Sequence, residues 1–334
     1  MSVLAGIDIG GTKCAVSLNE CTAEGVKTLG RVQFPTPLGP TAALAQLIDA
    51  LGQLMTNEGV KPSAIGVSAG GPLSVQRGVL LGPPNLPGWD EVDVVTPFRE
   101  RFGVPTALEN DANAGALAEW YWGAGQGLRN MVFLTFGTGM GAGLILNGAL
   151  YRGTTDLAGE VGHVRLAASG PLGFGKYGSF EGFCSGGGIA RWARERWEEG
   201  KLAGDDADVT SSRLATLASS GELTAEHVGQ AALDGNALAI SLLHESGRRL
   251  GQALALIVDM LNPELIVIGS IYSRLSRLLE PSMREVLKAE ALPAALAACR
   301  IEPAGLGERV GDLASVAVAL AAMAPRDPAG DGRP

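Results

Sequence analysis

Apolar residues at the start of the chain run through Val3-Leu4-Ala5-Gly6-Ile7, meet Asp8 and Ile9, and break at Gly10-Gly11-Thr12-Lys13 before resuming. An apolar run with β-branched residues on either side of a glycine turn reads as strand, tight turn, strand. The design returns at Val132-Phe133-Leu134-Thr135-Phe136-Gly137-Thr138-Gly139-Met140-Gly141-Ala142-Gly143. Between the two, Leu44, Leu47, Ile48, Leu51, Leu54 and Met55 have helical spacing and predict an amphipathic helix over 41–59. Residues 64–69 read as a buried strand stopped by Gly70-Gly71-Pro72. The proline-rich stretch 82–89 is excluded from helix and inner strand and must be a loop. A short helix over 97–102 and a short strand over 105–108 follow, and Asn110 and Asp111 are good N-cap residues for a helix reaching about Gly123. After the second hairpin the pattern predicts helices over 186–200, 210–220, 224–232 and 235–261, a strand over 265–268 and helices over 273–289 and 312–324. The tail 325–334, rich in Pro, Gly and Asp, is expected to be disordered. The chain thus reads as two α/β units of related design.

The glycine turns carry the first chemical hint. A turn without side chains exposes backbone N–H groups, and a row of them makes an anion-binding concavity. Such turns are also common as plain connections, so the more specific signal is Asp8, two residues before the glycines in an otherwise apolar strand. A carboxylate there costs stability unless a cation or hydrogen-bond donors meet it, and a phosphate-bound Mg²⁺ would do so. Neither turn has the G-x-x-x-x-G-K-[ST] or G-x-G-x-x-G spacing. Two phosphate-gripping turns point to nucleotide chemistry of another type.

Composition sets outer bounds. A chain of 334 residues, 46% apolar, has room for two domains and a substantial core. Its 48 glycines are about twice the usual ~7% share and concentrate in these turns and over 137–188. A net charge of −9 with interspersed signs leaves no electrostatic footprint for nucleic acid. No secretory or membrane segment is read, because the longest apolar run, Leu313 to Ala324, is too short to span a bilayer. Cys14, Cys21, Cys184 and Cys299 have no metal or disulfide spacing, so buried thiols and a reducing cytoplasm are expected.

Six collinear motifs between residues 3 and 269 then resemble the ROK family (repressors, open reading frames, kinases), nearest its bacterial glucokinase and hexokinase members. They are Asp8-Ile-Gly-Gly-Thr-Lys13, Asn85-Leu-Pro-Gly-Trp89, Glu109-Asn-Asp-Ala-Asn113, Gly137-Thr-Gly-Met-Gly141, the run from Gly153 to His163 ending Ala158-Gly-Glu-Val-Gly-His163, and Asn262-Pro-Glu-Leu-Ile-Val-Ile-Gly269. The resemblance implies an actin-like ATPase fold (ribonuclease H-like) of the α/β class, two α/β domains with a central cleft: residues 1–112 plus 313–325 in the smaller, 113–312 in the larger, 326–334 a tail. It implies an ATP-dependent kinase acting on a hexose, glucose to glucose 6-phosphate first, with fructose, mannose or an N-acetylhexosamine as alternatives, and a sugar-responsive regulator without turnover as the alternative class. Hexose, ATP and Mg²⁺ are the ligands it implies, with a cytoplasmic homodimer and no nucleic-acid or membrane partner.

Site residues follow by motif. A hydroxyl attacking a γ-phosphate needs a base within hydrogen-bond reach and charge neutralisation on the phosphate. From the residues alone Asp111 suits the base or a helix cap equally; the resemblance makes it the base. Asp8 becomes the partner of Mg²⁺ through water. Gly10, Gly11, Thr12, Gly137, Thr138, Gly139 and Gly269 become the nucleotide contacts, and Lys13 is either one more or a strand residue with a solvated tip. Asn85, Asn110, Asp111, Glu160, His163 and Glu181 become the sugar contacts. The repressor branch carries a DNA-binding helix-turn-helix before the first hairpin; here the hairpin begins at residue 3 and no basic recognition helix is read elsewhere.

Two departures stand out. Many family members carry a zinc pattern, C-x-C-G-x-x-G-C-x-E, after the histidine; here Leu172, Phe174 and Ser179 replace the three thiolates while Gly175, Gly178 and Glu181 keep their places. Structural zinc needs about four ligands, preferably Cys or His, and His163 with the off-register Cys184 cannot supply them. Packing of Leu172, Phe174 and Tyr177 is expected to order the loop instead. The second departure is Gly269-Ser270-Ile271-Tyr272, where a glycine run near the adenosine is usual, which bears on nucleotide preference. Elemental analysis of dialysed protein is expected to find no stoichiometric zinc; one zinc per chain surviving dialysis overturns this reading.

Overall fold

The computed structural model describes residues 2–22, 25–198 and 209–323, which form two compact units. The first takes residues up to 127, 150–158 and those from 308 onward. Its sheet has the order β3-β2-β1-β4-β8, from β1 (Ser2–Ile9), β2 (Lys13–Thr22), β3 (Gly25–Pro35), β4 (Ala64–Ala69) and β8 (Thr106–Asn110). β1 to β3 form an antiparallel meander, whereas β1, β4 and β8 are parallel, with Asp8 beside Ser68 and Ser68 beside Glu109. A three-stranded sheet of short segments, β5 (Leu73–Ser74), β6 (Val79–Leu80) and β7 (Val92–Asp93), flanks the loop 82–89.

Side chains of β1 alternate between two packed layers. Ile7 and Ile9 join Leu47, Leu51 and Phe98 of α1 (Pro40–Glu58) and α2 (Thr96–Phe102) in one core. Leu4 and Ala64 pack against Val316 and Ala319 of the C-terminal helix (Val310–Met323). α3 (Asp111–Trp122) lies on that same side, packed on the C-terminal helix. It starts where β8 stops, with the Asn110 side chain accepting the Ala112 N–H. The smaller domain expected to end at 112 therefore extends in the structure through α3 to 127, because α3 buries its alanines here.

The second unit takes residues 128–149 and 159–307. Its strands have the order β10-β9-β14-β15, from β9 (Met131–Phe136), β10 (Met140–Leu146), β14 (Leu265–Ile268) and β15 (Arg300–Pro303); Ala149 opens β11 (Ala149–Tyr151), the strand next to β10, whose other two residues belong to the first unit. β9 and β10 are the antiparallel hairpin, and β14 is parallel to both β9 and β15. A hairpin of β12 (Leu172–Gly173) and β13 (Lys176–Tyr177) leads into α4 (Phe180–Cys184) and α5 (Gly186–Glu198). α6 (Val209–Ser220), α7 (Ala225–Leu233) and α8 (Ala237–Leu261) follow, then α9 (Ile271–Glu290) and α10 (Pro293–Ala298). α8 begins at an Asn236 cap and ends at Asn262 in the left-handed region.

The predicted helices and strands are present with ends shifted by a few residues; 199–200, 324 and the tail 325–334 lie outside the described residues. Sequence patterning missed β3 and β15, and the short elements β5 to β7, β11 to β13, α4 and α10 as well. β3 is a half-exposed edge strand of mixed polarity, and β15 is a four-residue edge, so neither shows a clean alternation. Cys14, Cys21 and Cys184 are buried thiols, and Cys299 is half-buried.

One close approach holds the first unit's layers together. A methyl on Gly66 of β4 would collide with the Ser315 carbonyl and the Ala319 amide of the C-terminal helix. Backbone cannot step aside as a flexible side chain can. Gly66→Ala is expected to lower the urea midpoint, at unchanged slope, by the equivalent of about 2–3 kcal/mol. An unchanged midpoint would show that the helix can be displaced freely.

Candidate functional site

In the first unit the parallel strands end together, and the sequence-derived candidate residues lie at their carboxyl ends. Asp8 is the penultimate residue of β1, and Glu109 and Asn110 close β8. Burial, reinforced by the negative charge of Asp111, pushes the Asp8 carboxyl up to about 6, against the opposing pull of the Lys13 ammonium. Asp8, Lys13 and Asp111 are thus electrostatic neighbours. Asp111 is exposed on the first turn of α3, and its Oδ1 accepts the Ala112 N–H at 2.8 Å.

The first glycine turn is closed by the Gly10 amide donating to the Lys13 carbonyl at 3.1 Å. Thr36, just past β3, donates its hydroxyl to the Gly10 carbonyl and its amide to the Thr12 carbonyl. Gly10 therefore uses its own amide inside the turn, and Gly11 and Thr12 are the exposed residues at its tip. The loop 82–89 brings Asn85 against this tip so closely that a side chain at Gly11 would meet the Asn85 Cβ at 2.8 Å. The structure therefore gathers Asp8, Gly10, Gly11, Thr12, Lys13, Asn85, Asn110 and Asp111 in one unit.

The second unit holds the other sequence-derived residues. The Gly137 amide donates to the Gly139 carbonyl, and the N-terminus of α5 reaches the same turn, with Gly186 and Gly187 donating to the carbonyls of Gly137 and Thr138. Thr138 is the exposed residue at the tip. Glu181, on α4, accepts the Met140 N–H at 3.2 Å, and a side chain at Gly139 would touch its Oε2. Gly159 (φ 94°) and Gly162 lie so close to β10 that side chains would strike the carbonyls of Ala142 and Met140. That close approach is why the segment Gly159-Glu-Val-Gly-His163 spaces its glycines as it does. Between them Glu160 and His163 face each other across a short 3₁₀ turn, His Nε2 to Glu Oε2 3.9 Å apart and both nearly half exposed. Gly269 is buried and donates its amide to Leu134, while Ser270 donates its hydroxyl to the Phe136 carbonyl at 2.8 Å.

The run that stands where a zinc pattern occurs does not fit a zinc ion. Leu172 and Phe174 offer no donor, and the Ser179 hydroxyl is the cap of α4, accepting the Gly182 N–H. Among the described residues no cluster of three or more His, Cys, Asp and Glu could hold a metal. The expected apolar packing is corrected as well. Phe174 is 62% and Tyr177 59% exposed; the two-residue hairpin buries Gly173 against α4, and Phe174 sits in its turn at φ 47°. Polar bonds order this loop: Lys176 Nζ donates to the His163 carbonyl at 2.7 Å, and Arg191 to the Leu172 carbonyl. Of the expected cluster only Phe174 engages His163, edge-on, with ring centroids 4.6 Å apart.

Sequence reasoning passed over two residues of the first unit's site. Glu109 is buried and bonds Arg152 Nε at 2.7 Å, Asn113 Nδ2 at 3.0 Å and the Asn110 N–H at 3.0 Å. A carboxylate closing a buried strand was the available signal for Glu109; nothing local pointed to Arg152, 43 residues away.

The Asp8 environment gives a pH signature. Its folded pKa of about 6 exceeds the ordinary 3.8, so the folded chain binds the extra proton between those values. The contribution to stability is full below about 4 and is lost as pH rises through 6. Without ligands, Asp8→Asn is therefore expected to gain on the wild type by about 2–3 kcal/mol between pH 4 and 7. Chemical denaturation of both proteins across that range checks this; parallel curves overturn it.

Comparison with known proteins agrees with the layout. The ROK family model matches residues 4–322. The chain is 32% identical over 277 residues to a glucokinase of Streptomyces coelicolor, covering 80% of this chain and 82% of that one. It is 33% identical over 270 residues to an N-acetylmannosamine kinase of Shigella flexneri, with coverages of 80% and 82%. A xylose repressor of Caldicellulosiruptor bescii is 28% identical over 260 residues, covering 78% of this chain and 63% of the repressor. Among solved structures, the ROK hexokinase from Thermus thermophilus superposes with a TM-score of 0.77 at 28% identity, covering 96% of this chain and 98% of that one. A ROK glucokinase from Streptomyces griseus, in complex with glucose and AMPPNP, gives 0.74 at 28% identity, with coverages of 96% and 99%. The actin-like ATPase fold is common to these structures and this chain. By the match of its sequence along almost the whole chain, this protein belongs to the ROK family.

Proposed function

We propose that this protein is an ATP-dependent hexose kinase, with the 6-hydroxyl of glucose as its first acceptor. The observation that carries the reading is the pairing of Asp8 with Asp111 beside the Gly10–Thr12 turn. One carboxylate is half-buried at the end of β1, and the other is exposed on the first turn of α3. These environments suit two roles. Asp111 takes the proton from the attacking hydroxyl as its oxygen bonds to the γ-phosphorus and ADP departs. Asp8 and the turn face the phosphates, with Lys13 beside them. Mg²⁺ typically takes one or two carboxylates plus substrate phosphates, so Asp8 fits as its protein partner through water, and when bound it supplies neutralisation of the phosphate charge. Gly11, Thr12, Thr138 and Gly139 are assigned to the nucleotide phosphates.

Sugar recognition is assigned to Asn85, Asn110 and Asp111 of the first unit and to Glu160, His163 and Glu181 of the second. Glu160 and His163, 3.9 Å apart, present a carboxylate and a ring nitrogen on one 3₁₀ turn that could each meet one of two neighbouring hydroxyls. Support for glucose comes from the glucokinase relatives; the N-acetylmannosamine kinase relative keeps N-acetylhexosamines on the acceptor panel.

A coupled ADP-release assay over glucose, mannose, fructose, N-acetylglucosamine and N-acetylmannosamine tests the assignment, with the highest kcat/KM expected for glucose. Asp111→Asn keeps the shape and removes the base, so kcat is expected to fall by ~10² or more with the fold intact. No turnover with any of the five sugars, alongside measurable sugar binding, would replace this reading by a sugar-responsive regulator.

A further inference from the structure

Three carboxylates meet at the carboxyl edge of the first unit's sheet, and the buried one, Glu109, has no role in the chemistry above. It closes β8 in register with Ser68 and, through Ser68, with Asp8. Its side chain is 1% exposed. One oxygen accepts the Asn110 N–H and Asn113 Nδ2, both at 3.0 Å; the other accepts Arg152 Nε at 2.7 Å. The Asn110 side chain in turn caps α3 through the Ala112 N–H, which Asp111 Oδ1 also accepts. A continuous chain of bonds thus runs from the Arg152 guanidinium to the Asp111 carboxylate.

Arg152 is itself firmly placed. Its carbonyl accepts the Ala158 N–H at 3.0 Å, and Asp156, further along the same segment, accepts the Val75 N–H at 3.0 Å. Such an arrangement is a poor choice for stability alone. Removing the Glu109 carboxylate from water costs about what its attraction to the partly exposed Arg152 guanidinium returns, and an apolar residue of like size holds a core as well. What the pair supplies is direction: the bond to the Asn110 N–H fixes the peptide from which Asp111 projects. Asn113 Oδ1, buried without a hydrogen-bond partner, is spent on keeping Nδ2 turned to Glu109.

We propose that Glu109, held by Arg152, is the positioning residue for Asp111. The inference rests on Asp111 being the base. Arg152→Met keeps the unbranched stem out to the position of Nε and removes the guanidinium with its charge; it is expected to lower kcat by about 10- to 100-fold, the cost of a misplaced catalytic group. KM for ATP is expected to stay within about twofold, since the phosphate turn is untouched. Arg152→Lys restores the charge and is expected to recover part of kcat, which a purely packing role would not allow. Glu109→Gln keeps the shape and gives a second reading of the same loss if Arg152→Met fails to fold. Combining the two substitutions is expected to lower kcat no further than Arg152→Met alone, as for residues acting as one unit. A folded Arg152→Met or Glu109→Gln protein with kcat within about twofold of wild type overturns the proposal, as does a double variant in which the losses multiply. Asp111→Asn run in parallel separates the two claims: if it stays active the base is misassigned, and if it alone is inactive only the positioning role fails.

Discussion

Parallel pairing of β1, β4 and β8 is the constraint on which the first unit's site depends. Pairing in that register puts Asp8, Ser68 and Glu109 in one row, and the next step along β8 delivers Asn110 and Asp111 to the start of α3. A shift of one residue would turn Asp8 into the core that Ile7 and Ile9 fill and turn those isoleucines onto the face covered by the C-terminal helix. The register is held by more than hydrogen bonds. Gly66 lets the C-terminal helix lie directly on β4, and Gly6 does the same on β1. Residues from both ends of the chain therefore fix where the carboxylates stand.

Charge is managed within the same small region by unequal means. Asp8 is left with a raised pKa, burial and the Asp111 carboxylate outweighing Lys13. Glu109 has its cation built in, through Arg152. Asp111 stays exposed and keeps one oxygen on the Ala112 N–H. Three acidic residues of similar intrinsic chemistry thus acquire three electrostatic settings from burial and partners alone.

The second unit orders its loop by a different route from metal ligation. Lys176 grips the carbonyl of His163, Arg191 that of Leu172, and Ser179 caps α4 just before Glu181. Each bond involves a backbone group, so it fixes the path of the chain rather than a side-chain cluster. Phe174 and Tyr177 are free to stand in solvent for that reason.

The sequence by itself determined the elements with strong periodicity and the turns with obligatory glycines. The helix containing Leu44 to Met55, the strand Ala64–Ala69 and both glycine hairpins were legible because their patterns are local consequences of 3.6- and 2-residue periods. Motif order also singled out Asp8, Asn110, Asp111, Glu160, His163 and Glu181 as candidates. What only the tertiary structure decided is whatever depends on distant partners. Edge strands β3 and β15 lack a periodic signature because pairing on one side sets their state. The anchoring of Glu109 by Arg152 spans 43 residues, and Phe174 is exposed because it stands in the turn of a two-residue hairpin. Local composition encodes which backbone conformation is cheap; which charge meets which, and which apolar side chain finds cover, is settled only when the layers pack.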